Sequence, residues 1–313
     1  MPSRVDGTWS VGVIGLLLLF LGLLPVFLGR FHVVLVTEII IWGIYALSFD
    51  LIFGYTGMLS FCQSIFFGAG AYVAGYSLGN GIGIAGALLL GLTFAGIMGL
   101  VVGGFVVRVR GSRFFLVTLV LSILFYLVAL DLRWLTGGDD GMIVQIGFPG
   151  LTQNFYLVAG VGIVVGFFVW VLVNSSVGLV FRMIRDNERR ARLLGYSVWK
   201  YRIGAFSAAG AIAGLAGGLY AYTSGFVSAG LFHWTRSADA VVWTVLGGSG
   251  SVVGPFVGAA VLTFIREGFS SLMGRIYPVI VGGLLIYAVV ASPTGIVGKF
   301  AGLFEYLQGF RDE

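Results

Sequence analysis

The sequence is short of charge, cysteine and histidine, and each shortage removes a class of function. Charged residues make up 10% of the 313 and hydrophobic ones 58%, whereas an ordinary soluble domain is about 25% charged. Mean hydropathy is +1.03. A water-soluble fold cannot hide that much apolar surface, because folded proteins still expose much of their chain. A soluble enzyme, a disordered chain and a coiled coil are excluded. An outer-membrane barrel is excluded too, since its strands would alternate polar and apolar residues. The single cysteine, Cys62, permits no internal disulfide and no Cys-built metal site. The two histidines, His32 and His233, are far apart in sequence, which argues against a His-built metal centre or a His-centred triad.

A nucleotide loop is also missing. The Walker pattern G-x-x-x-x-G-K-[ST] cradles phosphates with backbone N–H groups and a lysine. The nearest approach, 295-GIVGKF-300, has the wrong spacing and a Phe after the Lys, and 247-GGSGSVVG-254 has no Lys. This chain cannot bind ATP by that route, so an ATP-driven pump would need hydrolysis on another subunit.

What is present is apolar length. A bilayer core takes about 20 apolar residues per helix. Nine runs qualify: Val11–Leu28, Val33–Phe53, Met58–Leu78, Ile82–Val107, Phe114–Leu130, Phe155–Val173, Ile203–Tyr222, Ala238–Ile265 and Tyr277–Ala291. The expected fold is an all-α polytopic membrane protein with about nine (8–10) spans, in one transmembrane domain over 1–313. The first run lacks a small-residue cleavage site and reads as a mature helix. The Ala238–Ile265 run is interrupted by 247-GGSGSVVGP-255. It is either one tilted helix or two broken pieces, and irregular backbone at membrane depth survives only inside protein or beside a water-filled cavity. The 51 glycines suit close helix packing. A faint echo links 68-GAGAYVAG-75 and 214-GLAGGLYA-221, as small residues recurring by chance would.

Lys/Arg bias sets the orientation. Arg108, Arg110 and Arg113 form one basic cluster; Arg182, Arg185, Arg189, Arg190, Arg192, Lys200 and Arg202 form another. Two runs separate them, so both belong on the cytoplasmic side. The loop of about 131–154, with Asp131, Asp139 and Asp140 against Arg133, is then external, and counting back puts Arg4 and the N-terminus inside. A nucleic-acid partner is a poor reading of the basic loop, because juxtamembrane basic loops mark the cytoplasmic side.

Four features stand out as functional candidates. Glu38 and Asp50 are carboxylates inside the second run, where a charge is costly and usually faces a bundle interior or cavity; the alternatives are helix–helix hydrogen bonding for Glu38 and interfacial placement for Asp50. Asp239 and Ser237 precede an apolar run and fit a helix N-terminus. In 53-FGYTGMLSFCQSIFFGAGAYVAGY-76, Tyr55, Ser60, Gln63 and Ser64 are polar; the spacing of Ser60, Gln63 and Ser64 puts them on one helix face. They either bond neighbouring helices or line a pathway along a discontinuous helix. Finally, 185-RDNERRARLLGYSVWKYR-202 reads as a solvated basic loop, or as a short docking helix with an apolar side of Ala191, Leu193 and Leu194 and a stop at Gly195. A proton-coupled secondary transporter using Glu38 and Asp50 is the main rival to an ATP-coupled one.

In order along the chain, 54-GYTGMLS-60, 66-FFGAGAY-72, 136-TGGDDG-141, 185-RDNERRARLLG-195, 245-VLGGSGSVVGP-255 and 292-SPTGIVG-298 resemble the LivM-type permease subunits of the branched-chain amino-acid family of ABC importers. The match spans roughly residues 38–298, and the ordered set is specific where each motif alone is weak. Two departures stand inside it: Arg190 replaces a usual Ala, and Phe61-Cys62-Gln63 replaces Gly-His or Gly-Gln after Leu59.

The resemblance implies a heteromeric importer. A second, LivH-type permease would share the solute pathway. Two ABC ATPases would carry ATP and Mg, leaving this chain without a cofactor, and a periplasmic or lipid-anchored binding protein would deliver the solute. The setting would be the inner membrane of a prokaryotic cell. The solute would be a branched-chain or other amino acid, or a relative such as urea or a short amide. The implied ATPase-coupling residues lie in about 182–202: Arg185, Asp186, Glu188, Arg189, Ala191, Leu194 and Gly195. Pathway or gating candidates are Glu38, Asp50, Tyr55, Ser60, Gln63, Ser64, Asp140, Gly247, Gly248, Gly250, Gly254 and Pro255.

Overall fold

The computed structural model describes residues 29–109, 111–144, 150–273 and 295–298, with the single positions 25 and 283. These form a helical bundle. The helices are α1 Arg30–Thr56, α2 Gln63–Gly79, α3 Ile84–Val106, α4 Ser112–Asp131, α5 Arg133–Thr136, α6 Leu151–Asn174, α7 Ser176–Asp186, α8 Glu188–Leu193, α9 Val198–Ser224, α10 Trp234–Gly247 and α11 Gly254–Met273. A short antiparallel ladder pairs β1 Met142–Ile143 with β2 Phe226–Val227, and a 3-10 turn covers Ala229–Phe232.

Among the described residues five helices are long and apolar enough to cross a membrane: Arg30–Thr56, Ile84–Val106, Arg113–Asp131, Leu151–Asn174 and Val198–Ser224. The expected runs Val11–Leu28 and Tyr277–Ala291, and Arg4, lie outside the described residues apart from two isolated positions. Of two other runs, one is corrected and one is resolved between its two expected forms. Met58–Leu78 is not one span: residues 57–62 leave the helix, and α2 begins only at Gln63. Ala238–Ile265 divides into α10 and α11 with irregular backbone over 248–253, so the broken form is the one adopted. Ser60 is therefore not on a helix face with Gln63 and Ser64.

The burial pattern follows from solvent. α1 has no continuous polar face and is buried continuously from Ile41 to Ile52, as a helix at the centre of a bundle must be. The peripheral helices instead turn one apolar stripe outward, with Phe94, Phe105, Val120, Leu127 and Phe167 exposed. Exposed stripes of that size would drive aggregation in water; against lipid tails they are the solvated face.

The tightest packing is where α2, α3 and α9 cross. A Cβ on Gly70 would collide with the backbone of Gly214, and one on Gly217 with the carbonyl of Phe67. The two echoing segments, 68–75 and 214–221, are thus the facing sides of one interface. Their likeness has a physical cause: both must be small for the backbones to approach.

Both basic clusters lie at one end. Arg108 sits over the Trp199 ring at 5.9 Å, and Val109, Phe114, Glu188 and Arg202 line one cavity of about 400 Å³. The end of α1, the 248–253 segment and α7–α8 meet here too, since Gly54, Gly250 and Arg185 touch. The β1–β2 ladder and the loop after α4 lie beyond the opposite ends of the same helices.

Candidate functional site

The site is built where helices stop. α1 ends at Thr56, so the carbonyls of its last turn lose intrahelical partners. Arg185, from α7, donates from Nη1 to the Gly54 carbonyl, a cation placed where the negative end of a helix favours one. One turn earlier in α1, Asp50 is fully buried. Its carboxylate accepts the Gly250 N–H at 2.9 and 3.0 Å to its two oxygens. A side chain at Gly54 would run into both the Asp50 carboxylate and the Gly250 nitrogen. Tyr55, also buried, follows directly. Asp50 is therefore not interfacial: it joins α1 to the 248–253 break, and Arg185 joins the same turn of α1 to the basic segment.

The break is organised by its own residues. Ser251 Oγ accepts from the Gly254 N–H at 2.8 Å and caps α11. Gly247 lies against Gly254, and Gly248 ends α10. Pro255 falls in the first turn of α11, where its missing N–H has no helical partner to lose. Residues 295–298 return here as a helical turn, with Gly295 against Gly248.

The second break, 57–62, opens onto a buried polar seam. Ser64 N–H donates to Ser237 Oγ at 2.9 Å, Ser237 Oγ donates to the Phe61 carbonyl at 2.7 Å, and Phe61 N–H donates to Thr118 Oγ1 at 3.1 Å. Ser64 and Ser122 share a hydrogen bond of 2.8 Å. Ser60 Oγ accepts from Cys62 N–H at 3.2 Å. These hydroxyls satisfy backbone groups that a continuous helix would have satisfied itself, as hydrocarbon requires. Gln63 is fully buried, its Oε1 3.5 Å from Ser48 Oγ and its Nε2 without a partner among the described residues. Ser237 thus belongs to the seam. It does not cap α10; the His233 side chain does, accepting from Thr235 N–H, and Asp239 lies inside the helix.

The basic segment folds as two short helices. Asn187 caps α8 by accepting from Arg190 N–H at 3.0 Å. Glu188 binds Arg192 and, at 3.0 Å, Arg202. The expected apolar side divides: Ala191 is buried against Val180, Ile184 and Val198, whereas Leu193 and Leu194 are 81% and 62% exposed. Asp186 and Arg189 are exposed beside them. Gly195 takes a φ of +87°, a conformation that ends a helix at little cost only in glycine.

The remaining candidates stand apart. Glu38 accepts from Trp42 Nε1 at 3.0 Å and lies 50 − 38 = 12 residues from Asp50, about 18 Å along the helix. With each carboxylate engaged locally, nothing here favours a proton relay between them. Asp140 is exposed in the loop after α5. That loop is held by Tyr72 Oη, which donates to the Thr136 carbonyl at 2.9 Å, so its motif builds a turn and does not meet the other candidates. Sequence reasoning missed Ser48, Thr118, Ser122 and Arg236. Thr118 and Ser122 carried a signal, two hydroxyls four residues apart in an apolar run.

Residues 32–290 match the family model described as the branched-chain amino acid transport system / permease component. This chain belongs to that family. The permease is 29% identical to the high-affinity branched-chain amino acid transport system permease protein LivM of Salmonella typhimurium and to that of Escherichia coli K12, over 87% of this chain and 71% of theirs. It is 37% identical to the autoinducer 2 import system permease protein LsrC of Shigella flexneri, over 33% of this chain and 32% of that one. No solved structure matches. The permease is a multi-pass membrane protein of a transport system, and its relatives are permeases, not enzymes.

Proposed function

We propose that this permease forms half of the solute pathway of an ABC importer in the inner membrane of a prokaryotic cell. The other half is a LivH-type permease. ATP and Mg bind two partner ATPases docked at the basic end, which faces the cytoplasm, as does the N-terminus. A periplasmic or lipid-anchored binding protein supplies the solute: a branched-chain or other amino acid, or a related small molecule such as urea or a short amide. No nucleic acid is involved.

The observation that carries this reading is the junction of Asp50, Gly250, Arg185 and Gly54. The exposed Leu193, Leu194 and Arg189 offer the ATPase an apolar and cationic hold. Movement of α7–α8 then pulls on the end of α1 through Arg185 and on the 248–253 break through Asp50. Both links end on backbone groups that can exchange partners, so two arrangements are accessible, and ATP closure shifts their populations. Family membership supports the rest of the assembly.

The test is reconstitution with the second permease, ATPases and receptor. Glu188→Arg combined with Gly195→Trp is expected to abolish ATP-driven uptake while the chain still inserts. Normal uptake by that variant would remove the docking assignment, and pumping by the isolated chain would remove the whole reading.

A further inference from the structure

We infer that Arg236 faces the solute path and, with Glu38 across the indole of Trp42, forms a site for a small zwitterion. The inference rests on the importer reading above and names residues that read the solute.

Arg236 is deep in the bundle. Its Cζ lies 5.4 Å from the centroid of Trp42, and Trp42 is near the middle of α1, a helix of 27 residues and about 40 Å. An arginine at that depth faces protein or water, since lipid tails make the charge costly. The described residues pair with it only loosely. Among the described residues its guanidinium donates no hydrogen bond, and its one ion pair, with Asp239, is stretched to 4.0 Å. The side chains remain 30% and 44% exposed. Five guanidinium donors are thus held at mid-depth on the face of a half-helix, stacked on an aromatic ring and, among the described residues, unspent.

The opposite charge is one indole away. Glu38 accepts from Trp42 Nε1 and makes no ion pair with Arg236. Glu38 also lines a cavity of about 260 Å³ with Thr37, Asn154, Tyr220, Thr223 and Ser224. The Asn154 Oδ1 there is buried without a partner among the described residues. The volume falls below the range of drug-sized sites, about 300–1,000 Å³, and suits a small polar solute. Tyr220 belongs to both places: it lines the cavity and its ring centroid is 5.6 Å from that of Trp42. A solute with a carboxylate and an ammonium on neighbouring atoms can engage the cation and the carboxylate together; a solute with one charge leaves one of them unmatched, which is how a polar site discriminates.

The experiment uses the receptor-free complex of both permeases and the ATPases in lipid nanodiscs, titrated calorimetrically with L-leucine, isoamylamine (no carboxylate) and 4-methylpentanoate (no ammonium). Leucine is expected to bind saturably, and each analogue at least tenfold more weakly. Arg236→Gln should weaken leucine at least tenfold and leave isoamylamine unchanged, Arg236→Lys should restore part of the loss, and Glu38→Gln should spare only 4-methylpentanoate. Equal binding of the three probes, no binding of leucine, or unchanged leucine affinity in Arg236→Gln overturns the inference. Loss of the second permease from the Arg236→Gln complex overturns it too, by assigning the residue to the subunit interface. A wild-type chain that assembles with neither permease nor ATPase sinks the importer reading first, and is scored separately by co-purification.

Discussion

The α2–α3–α9 crossing and the junction at the end of α1 are both buried, yet they are held by opposite means. At the crossing, glycine and alanine let backbones touch, and the stabilisation is many weak dispersion contacts. No direction is preferred, and no partner can be exchanged without opening the interface. At the junction, a carboxylate, a guanidinium and two backbone groups make a few directional bonds beside two helix ends. The first arrangement resists motion, and the second can switch. A transporter needs both, a rigid frame and a movable joint set against it.

The comparison can be broken most severely at the crossing. Gly217→Val forces a branched side chain onto the Phe67 carbonyl, an overpacking that costs about 3 kcal/mol; the variant is expected to lose its monodisperse peak on size-exclusion chromatography. At the junction the damage should fall on function. Asp50→Leu leaves the Gly250 N–H unsatisfied, which costs about 1–3 kcal/mol, and uptake per ATP hydrolysed should fall at least tenfold in proteoliposomes while the protein remains monodisperse. Arg185→Gln should lower the same ratio less, because it removes one bond to a neutral carbonyl and not a buried carboxylate; an unchanged ratio would detach α7 from the proposed gate. Leu194→Ala removes an exposed side chain and should shift stability by less than about 0.5 kcal/mol, but weaken ATPase co-purification. The smallest effect on transport belongs to Glu188→Gln. Its partners are partly exposed, so about 0–1 kcal/mol is at stake, and salt should erase the difference in melting temperature.

Much of the frame was legible. Apolar runs located α1, α3, α4, α6 and α9, because a bilayer imposes length and hydropathy on any span. The Gly247–Pro255 interruption located the break between α10 and α11, and the glycine at 195 located the stop after α8. Ser60 was misplaced because spacing implies a shared face only if the helix is continuous, and it starts three residues later. Asp239 was misread as a cap for the converse reason: the helix starts earlier, at Trp234, and the apolar run begins inside α10, after the polar Arg236 and Ser237. The echo between 68–75 and 214–221 looked like chance because one strand of sequence cannot show that two segments face each other.

Sequence alone determined the solvent of this protein, its family and the end of the bundle that carries the positive charge, since these depend on composition, ordered motifs and sums over residues. Only tertiary structure decided what Asp50 and Arg236 touch. A buried charge takes its meaning from its partners, and the partners of Asp50 and Trp42, at Gly250 and Arg236, lie some two hundred residues along the chain.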